Sequence, residues 1–442
     1  MTKPSIKNHK EKRYSKFNIF VWTLFDFANT SYSIVVVTFI FAVYFKDTIA
    51  AGKPVGDLYW SLGISISMVL TAIISPVLGA IADYSAGKKR FLLFFTLLCI
   101  IATSFLFFLT KGDVLIALIL FVLANIGFEA GLVFYDAFLP EITSVKNYGR
   151  VSGYGFAMGY LGSLAILAIL LPFIKDNLIR ETFPASALFF LIFASPLFFV
   201  LKDSRKKVKR NKSYVNIGFN RVFNTIRNLR NYKNLALFLL AFFFYIEGVN
   251  TVIFFAGNYA KTTLHFTMNQ LIVFFIVVQT TAVLGAVVFG VISDSIGQKK
   301  SIIISLFIWL FTLLVAYLTS DSNTFLMQTL AGWIGKSPES LVIPSFYFVG
   351  LLAGSVMGGT QSTSRSLMSK LTPEEKKTEF FGFYSLFGKS SAVVGPLVFG
   401  LVSYGTGSQR IAILAICLFF IVGLLVLRYV KDPKPKELNI TS

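Results

Sequence analysis

The first residues that could bind a ligand or carry a proton lie inside an apolar run, residues 23–45. This run is long enough to cross a bilayer. Asp26, Asn29, Thr30 and Tyr32 interrupt this run with a carboxyl, an amide and two hydroxyl groups. Because such groups are costly in hydrocarbon, they face a protein interior or a water-filled cavity and mark functional sites. The patch therefore predicts substrate binding within the membrane.

The same signature returns halfway along the chain. The apolar run at residues 235–260 carries Glu247, Asn250 and Thr251, so acid-x-x-Asn-Thr occurs twice. The two copies are 247 − 26 = 221 positions apart in a chain of 442 residues. We interpret the chain as two homologous membrane halves, each of which presents its polar patch to a shared central cavity.

Two further charges lie deep in predicted spans. Glu129 lies about 10 Å from the end of the fourth span, and Lys389 lies about 14 Å into the eleventh. Glu129 is a candidate for proton coupling or substrate binding, or it is a neutral carboxyl hydrogen-bonded to another helix. We expect Lys389 to pair with Glu247, either permanently or until substrate opens the pair, and Glu247 is the second candidate for proton coupling. Asp136, near the end of the fourth span, is expected to be solvated.

The elements that must position these residues are membrane helices. The chain is 55% hydrophobic and 14% charged, with a mean hydropathy of +0.72, which excludes a soluble protein of this length. Its continuous apolar runs are too long for barrel strands. We predict an all-α membrane protein with twelve transmembrane helices in two six-helix bundles. The predicted spans centre near Val36, Val69, Thr103, Leu123, Met158, Phe193, Gly248, Thr280, Leu310, Gly354, Val393 and Phe420.

The net charge of +20 is explained by topology. If Arg365 is counted with the loop after the tenth span, 32 of the 41 Lys and Arg residues fall on the side of the N-terminus and 8 on the other. The positive-inside rule then places both termini in the cytoplasm, with the protein in the plasma (inner) membrane. We therefore expect no nucleic-acid partner.

A pattern of glycine, acid and basic residues follows both the second and the eighth predicted spans. It resembles the loop signature of the major facilitator superfamily, in which a Gly lets two helices approach closely while the Asp and the basic residues latch the cytoplasmic side shut. The resemblance implies a role in gating, although it leaves open which basic side chain latches which acid. The gating residues it indicates are Gly79, Asp83, Lys88 and Arg90 in the first copy and Gly290, Asp294 and Lys299 in the second.

Glycines form a further sequence repeat, and its offset is also near half the chain length. Gly153 and Gly159 in the fifth span align with Gly382 and Gly388 in the eleventh, at an offset of 382 − 153 = 229. Small residues of this kind let membrane helices pack backbone to backbone. The alignment supports duplication of a six-helix unit.

A basic linker joins the halves. Residues 202–233 contain eleven basic residues and one acid, and their later part predicts an amphipathic helix on the cytoplasmic leaflet. Binding of a regulatory partner is the alternative. Its apolar residues at helical spacing are Phe219, Val222, Phe223, Ile226 and Leu229. The predicted segments are a tail at 1–17, bundles at 18–202 and 234–431, the linker at 203–233 and a tail at 432–442.

The chain as a whole resembles one branch of the superfamily, the vacuole-effluxer-like transporters named for a fungal vacuolar protein linked to autophagy. The resemblance is carried by FDFANTSY at 25–32, FYDAFLPE at 134–141, GYGFAMGY at 153–160, GVNTV at 248–252 and the region 361–389. It implies efflux of small molecules, amino acids in the fungal case, without ATP. Asp136 stands where the family commonly has Asn, and Glu247 where Asp is common, which changes the charge pattern of the cavity.

We predict a secondary active transporter that moves a small solute, an amino acid or similar zwitterion, by alternating access. Proton coupling would need one of the acids to titrate near neutral pH. The alternatives are a proton-coupled exporter of drugs or sugars and a non-transporting membrane sensor or scaffold. The predicted substrate-binding residues are Asp26, Asn29, Thr30, Tyr32, Glu247, Asn250, Thr251, Gln361, Tyr384 and Lys389.

An enzyme is the weakest hypothesis. The sequence has no metal-ligand cluster, nucleophile motif or P-loop, and its two histidines provide little acid–base capacity. We therefore expect no cofactor and no metal. The expected partners are a small-molecule substrate and the lipid bilayer, and the expected state is a monomer.

Overall fold

A computed structural model describes residues 15–53, 55–85, 87–203 and 214–433. All regular secondary structure within these ranges is helical. The predicted tails at 1–17 and 432–442 lie largely outside them. Within the described ranges, twelve helical segments are long and apolar enough to span a membrane, and we number them as spans in chain order. Spans 1 to 6 are Lys16–Ile49, Val55–Ser85, Lys88–Phe108, Val114–Ile142, Val145–Lys175 and Thr182–Val200. Spans 7 to 12 are Leu229–Thr262, Met268–Ile296, Gln298–Thr319, Pro338–Leu371, Glu374–Thr406 and Gln409–Leu427.

Each predicted span centre falls within one of these twelve segments, so the predicted fold class is confirmed. An even number of crossings places the first and last spans' free ends at the same face of the bundle. We call this the terminus face; the loops after spans 2, 4, 6, 8 and 10 lie there too. The other loops lie at the opposite face, where the loop between spans 9 and 10 contains the short helix Phe325–Ile334.

The spans pack as two six-helix bundles. In the first half, span 4 packs on spans 2 and 3, and span 1 on spans 5 and 6. The second half repeats this arrangement, with span 10 on spans 8 and 9 and span 7 on spans 11 and 12. The halves meet mainly where span 2 packs on span 11 and span 5 on span 8.

Glycines set the closest of these contacts. A Cβ at Gly382 of span 11 would lie 2.6 Å from the Cα of Pro76 in span 2, and one at Gly153 of span 5 would lie 3.2 Å from the Cα of Gly290 in span 8. Gly159 and Gly388 face spans 1 and 7 respectively. The residues aligned by the sequence offset therefore lie at matching interfaces of the two halves.

Span 1 is irregular directly after its polar patch. Its α-helix ends at Tyr32 and continues as a π-helical segment, Ser33–Thr38. Phe39 leaves helical geometry with φ −120° and ψ −67°, and a second π-helical segment, Phe45–Ile49, follows. Such segments are frequent at functional sites.

The linker forms a helix, Tyr214–Arg227, which we call the linker helix. It packs on the terminus-face end of span 2, where a Cβ at Gly218 would lie 2.7 Å from Ile81. The predicted apolar stripe is divided between two faces. Val222 packs against the protein core, whereas Phe219 is exposed to 59%.

Candidate functional site

A buried arginine from the second half holds two carboxylates of the first. Arg365 lies near the terminus-face end of span 10, and its side chain is only 3% exposed. Its Nη1 lies 3.1 Å from Asp26 Oδ2 on span 1 and 3.1 Å from Asp136 Oδ1 on span 4. The expectation that Asp136 is solvated is wrong, because its carboxylate is paired within the bundle. We call these three residues the Arg365 layer.

The rest of the guanidinium is also held by the first half. Arg365 Nε donates to Ser152 Oγ at 3.0 Å, and Nη2 donates to the Ser152 carbonyl at 2.9 Å. The rings of Phe156, Trp22 and Tyr135 surround it at 4.2, 4.7 and 5.7 Å from the guanidinium carbon. Because a planar fork with five donors suits this set of partners, a Lys here would not replace it. Arg365 thus fastens span 10 to spans 1, 4 and 5.

A second ion pair joins the halves deeper in the membrane. Lys389 of span 11 forms an ion pair with Glu129 of span 4, whose side chain is 7% exposed. The expected pairing of Lys389 with Glu247 is therefore wrong. The physical reason is that span 11 faces span 4 of the other half at this depth as well as span 7 of its own.

Glu247 is a buried acid with no cation beside it in the described part of the chain. The residue is 0% exposed, and its Oε1 accepts a hydrogen bond from the N–H of Gly395 in span 11. Its Oε2 has no hydrogen-bond partner within the described part of the chain. Thr251, one turn further on, donates to the Glu247 carbonyl at 2.8 Å. We call Glu129, Lys389 and Glu247 the middle layer, in which Glu247 contacts span 11 at Gly395, six residues or about 9 Å beyond Lys389.

The two repeated acid-x-x-Asn-Thr patches therefore do not form one ring. Seven positions separate Asp136 from Glu129 along span 4, which is about 10 Å at 1.5 Å per residue. Asp26 belongs to the Arg365 layer and Glu247 to the middle layer. The structure thus stacks two charged layers along the axis between the halves.

The remaining predicted residues of the first patch follow Asp26 along span 1. Asn29 Nδ2 lies 3.5 Å from Asp26 Oδ1, and Thr30 donates to the Phe27 carbonyl at 3.1 Å. Tyr32 donates across to an asparagine side chain of span 4 at 3.4 Å. These contacts all stay within the first half.

The predicted residues of the second half are more dispersed. Gln361 accepts a hydrogen bond from Tyr160 of span 5 at 2.9 Å, which is another contact between the halves. Tyr384 is stacked on Phe242 with 4.1 Å between ring centroids. Asn250 is half-buried on span 7. Gln361 thus adds a polar bond between the halves to the ion pair of Lys389 with Glu129.

The two loop aspartates bind helix ends of the opposite half. Asp83 Oδ2, at the end of span 2, accepts the N–H of Glu379 in span 11 at 2.9 Å. Asp294, at the end of span 8, accepts the N–H groups of Gly149 and Arg150 in span 5 at 2.8 and 3.1 Å. Arg150 Nε also lies 2.8 Å from Asp294. Each carboxylate therefore meets free N–H groups and the positive end of a helix dipole, and closes the terminus face.

The loop glycines allow these contacts. A Cβ at Gly79 would lie 2.7 Å from the carbonyl carbon of Thr378, and one at Gly290 would lie 2.7 Å from the Gly149 oxygen. Any side chain would push the helices apart at both points. The predicted close approach thus has a direct geometric basis.

The basic residues of the loops bind within their own halves. Lys88 Nζ lies 2.5 Å from Glu141, in the first half. Lys299 donates its N–H to Asp432 at 3.1 Å and its Nζ to the Arg428 carbonyl at 2.8 Å, in the second. Arg90 is exposed. Among the described contacts, the side chains of Lys88, Arg90 and Lys299 therefore do not latch the two halves together.

The contacts of Lys299 have a counterpart in the first half. Lys89 donates its N–H to Asp203 at 3.1 Å and its Nζ to the Leu201 carbonyl at 2.7 Å. Burial raises the pKa of the Asp203 carboxyl, against the opposing effect of this hydrogen bond. Each half thus ties the start of its third span to the end of its sixth.

The sequence of this chain matches one family of known proteins. A family profile described as "Vacuole effluxer Atg22 like" matches residues 59–437. An uncharacterized MFS-type transporter of Bacillus subtilis is 31% identical over 95% of this chain and 96% of its own. Autophagy-related protein 22 of Kluyveromyces lactis is 25% identical over 83% of this chain and 77% of its own.

A solved structure shows the same fold. The structure of a proton:xylose symporter of the major facilitator superfamily superposes with a TM-score of 0.70, covering 95% of this chain and 96% of that one, at 14% identity. Together with the twelve spans and their packing, these matches establish the identity of the fold and of the branch. The chain belongs to the vacuole effluxer Atg22-like family of major facilitator superfamily transporters.

Proposed function

We propose that this transporter moves a small zwitterion, an amino acid or a molecule of similar size and charge, by alternating access. The observation that carries this proposal is the middle layer, which combines an acid without a cation, Glu247, with an ion pair between the halves, Lys389 and Glu129. A substrate ammonium would bind Glu247, and a substrate carboxylate would take Lys389 from Glu129. The relatives named autophagy-related protein 22 and the profile name "vacuole effluxer" support a solute-exporting role.

We propose further that Glu247 carries the coupled proton. An ionised carboxylate buried away from water and without a cation is costly, so the closed structure favours a protonated Glu247. If the six groups of the two layers were all ionised, four acids would face two bases, and a proton or a cationic substrate group would reduce that excess. Glu129 would carry the proton once Lys389 leaves it.

The remaining assignments follow from the charge distribution. We propose that the terminus face is cytoplasmic, because basic residues cluster at that face. We propose further that the protein is a monomer of the plasma (inner) membrane. The substrate-binding set then comprises Glu247, Thr251 and Lys389, with Gln361 and Tyr384 in supporting positions. Asp26, Asn29, Thr30 and Tyr32 would contribute once the Arg365 layer opens.

Flux into proteoliposomes tests the substrate class. Purified protein is reconstituted and offered radiolabelled amino acids, sugars and cationic dyes, each with and without an imposed pH gradient. We expect accumulation of at least one amino acid that depends on the gradient and is absent from protein-free liposomes. Accumulation of only sugars or dyes would contradict the zwitterion proposal, and ligand binding without any flux would favour the sensor alternative.

A further inference from the structure

We call the contact of Asp83 with the start of span 11, and that of Asp294 with the start of span 5, the two gates. The linker helix contacts the first of them directly. Glu379, whose N–H is bound by Asp83 of the opposite half, has a fully buried side chain. Thr225 of the linker helix donates its hydroxyl to the Glu379 carboxylate, and Arg221 Nε lies 3.5 Å from it. Lys376 Nζ completes the cluster by donating to Thr225 at 2.6 Å. The linker helix therefore covers the point where span 2 meets span 11.

At the equivalent gate in the other half, the side chain at the start of the helix is more exposed than Glu379 is. There Asp294 binds the start of span 5, and its partner Arg150 keeps a side chain that is 43% exposed. The fully buried Glu379, by contrast, lies beneath Thr225. The internal repeat is thus broken at one gate, and the linker helix is what differs.

The outer side of the linker helix carries apolar residues that the described part of the chain leaves uncovered. Phe219, Phe223 and Ile226 are exposed to 59%, 65% and 53%, and their spacing places them on one stripe of the helix. Arg227 and Arg230 are exposed beside them. A helix with an apolar stripe and flanking cations is the type that lies in a membrane interface.

The place and charge of the helix indicate its partner. It packs on the terminus-face end of span 2 and leads into span 7, so it lies at the level of the lipid headgroups. The linker region carries eleven basic residues and one acid, which complements an anionic leaflet. We propose that the linker helix binds an anionic lipid surface through Phe219, Phe223 and Ile226, and that this binding holds the gate between span 2 and span 11 closed through Thr225.

Hydrogen exchange tests this proposal without a substrate. The full chain is placed in nanodiscs of phosphatidylcholine alone or with one-third phosphatidylglycerol, and amide exchange is followed by mass spectrometry. With phosphatidylglycerol we expect exchange to slow about tenfold in the linker helix and also at the start of span 11, around Glu379. Equal exchange in both lipids would overturn the proposal, and protection of the linker helix alone would overturn its control of the gate.

Three variants separate the two faces of the linker helix. Phe219→Ser combined with Phe223→Ser should remove the lipid effect at both places, since it removes the apolar stripe. Thr225→Val should keep protection of the linker helix but remove it at Glu379. The matched control is Asn220→Ser, an exposed change that should behave as the wild type. A Thr225→Val protein with wild-type protection at Glu379 would refute the coupling.

Discussion

Arg365→Met is expected to destabilise the closed protein by about 3–5 kcal/mol, the usual consequence of removing one partner from a buried ion pair. The variant would leave Asp26 and Asp136 facing each other without the guanidinium that both now contact at 3.1 Å. It would also remove the two hydrogen bonds from the guanidinium to Ser152. Thermal unfolding in detergent, followed by intrinsic fluorescence, measures the loss.

A neutral version of the same layer is the matched control. Combining Arg365→Met with Asp26→Asn and Asp136→Asn removes the uncompensated carboxylates, and we expect more than half of the lost stability to return. Arg365→Lys should remain destabilised, because an ammonium cannot satisfy both carboxylates and Ser152 together. If Arg365→Met unfolds at the wild-type temperature, the Arg365 layer does not hold the halves together.

Glu247→Gln is expected to reduce transport driven by a pH gradient at least about tenfold, which corresponds to roughly 1.4 kcal/mol. The substitution keeps the shape of the side chain and its bond from Gly395, but it removes the group that we propose to carry the proton. Because the amide is neutral, folding should be preserved. The measurement is initial flux into proteoliposomes with and without the gradient, using the substrate that the panel identifies.

An exposed acid at the opposite face controls for charge alone. Glu339→Gln makes the same chemical change at the start of span 10, outside both layers, and should transport as the wild type does. Full gradient-driven flux in Glu247→Gln would remove Glu247 from the site. A loss of flux in both variants would point to net charge instead of a specific carboxyl group.

The fold was predictable because its signals are local. Each span is a continuous apolar run, and the repeats of acid-x-x-Asn-Thr and of Gly79 with Gly290 lie near half the chain length. Periodicity and length alone therefore identify twelve helices in two equivalent sets. The loop glycines were predictable for the same reason, since a residue without a side chain at the end of an apolar helix indicates close packing.

The pairing of charges was not predictable from local signals. Lys389 contacts Glu129 because spans from opposite halves face each other, and spacing along one chain contains no information on that register. Arg365 was grouped with loop charges because polar residues from Thr360 onward hide the end of span 10, which continues to Leu371. The position of Arg365 among serines, directly after a glycine-rich span, is itself a signal of a buried ion pair. Membrane spans retain arginine mainly where it has partners.

The contacts of Asp83 and Asp294 at the terminus face were also not predictable from the sequence. The basic residues after each loop aspartate suggest a latch by side chains, yet Asp83 and Asp294 bind backbone N–H groups at helix starts. Almost every residue has a backbone N–H group, so the residue types do not indicate which of these groups binds a carboxylate. Only the positions of Gly149 and Glu379 near the beginnings of their helices give a hint, and it can be interpreted only when the two helices are known to meet.

The distance between the halves at the terminus face tests the central claim most directly. Spin labels at Lys146→Cys and Lys300→Cys, two exposed positions in different halves, report this distance in a protein whose native cysteines are replaced by Ala. Alternating access predicts two distance populations, with the shorter one matching the closed structure and the longer one increasing in Arg365→Met. A single distance in the wild type that Arg365→Met leaves unchanged would contradict the account.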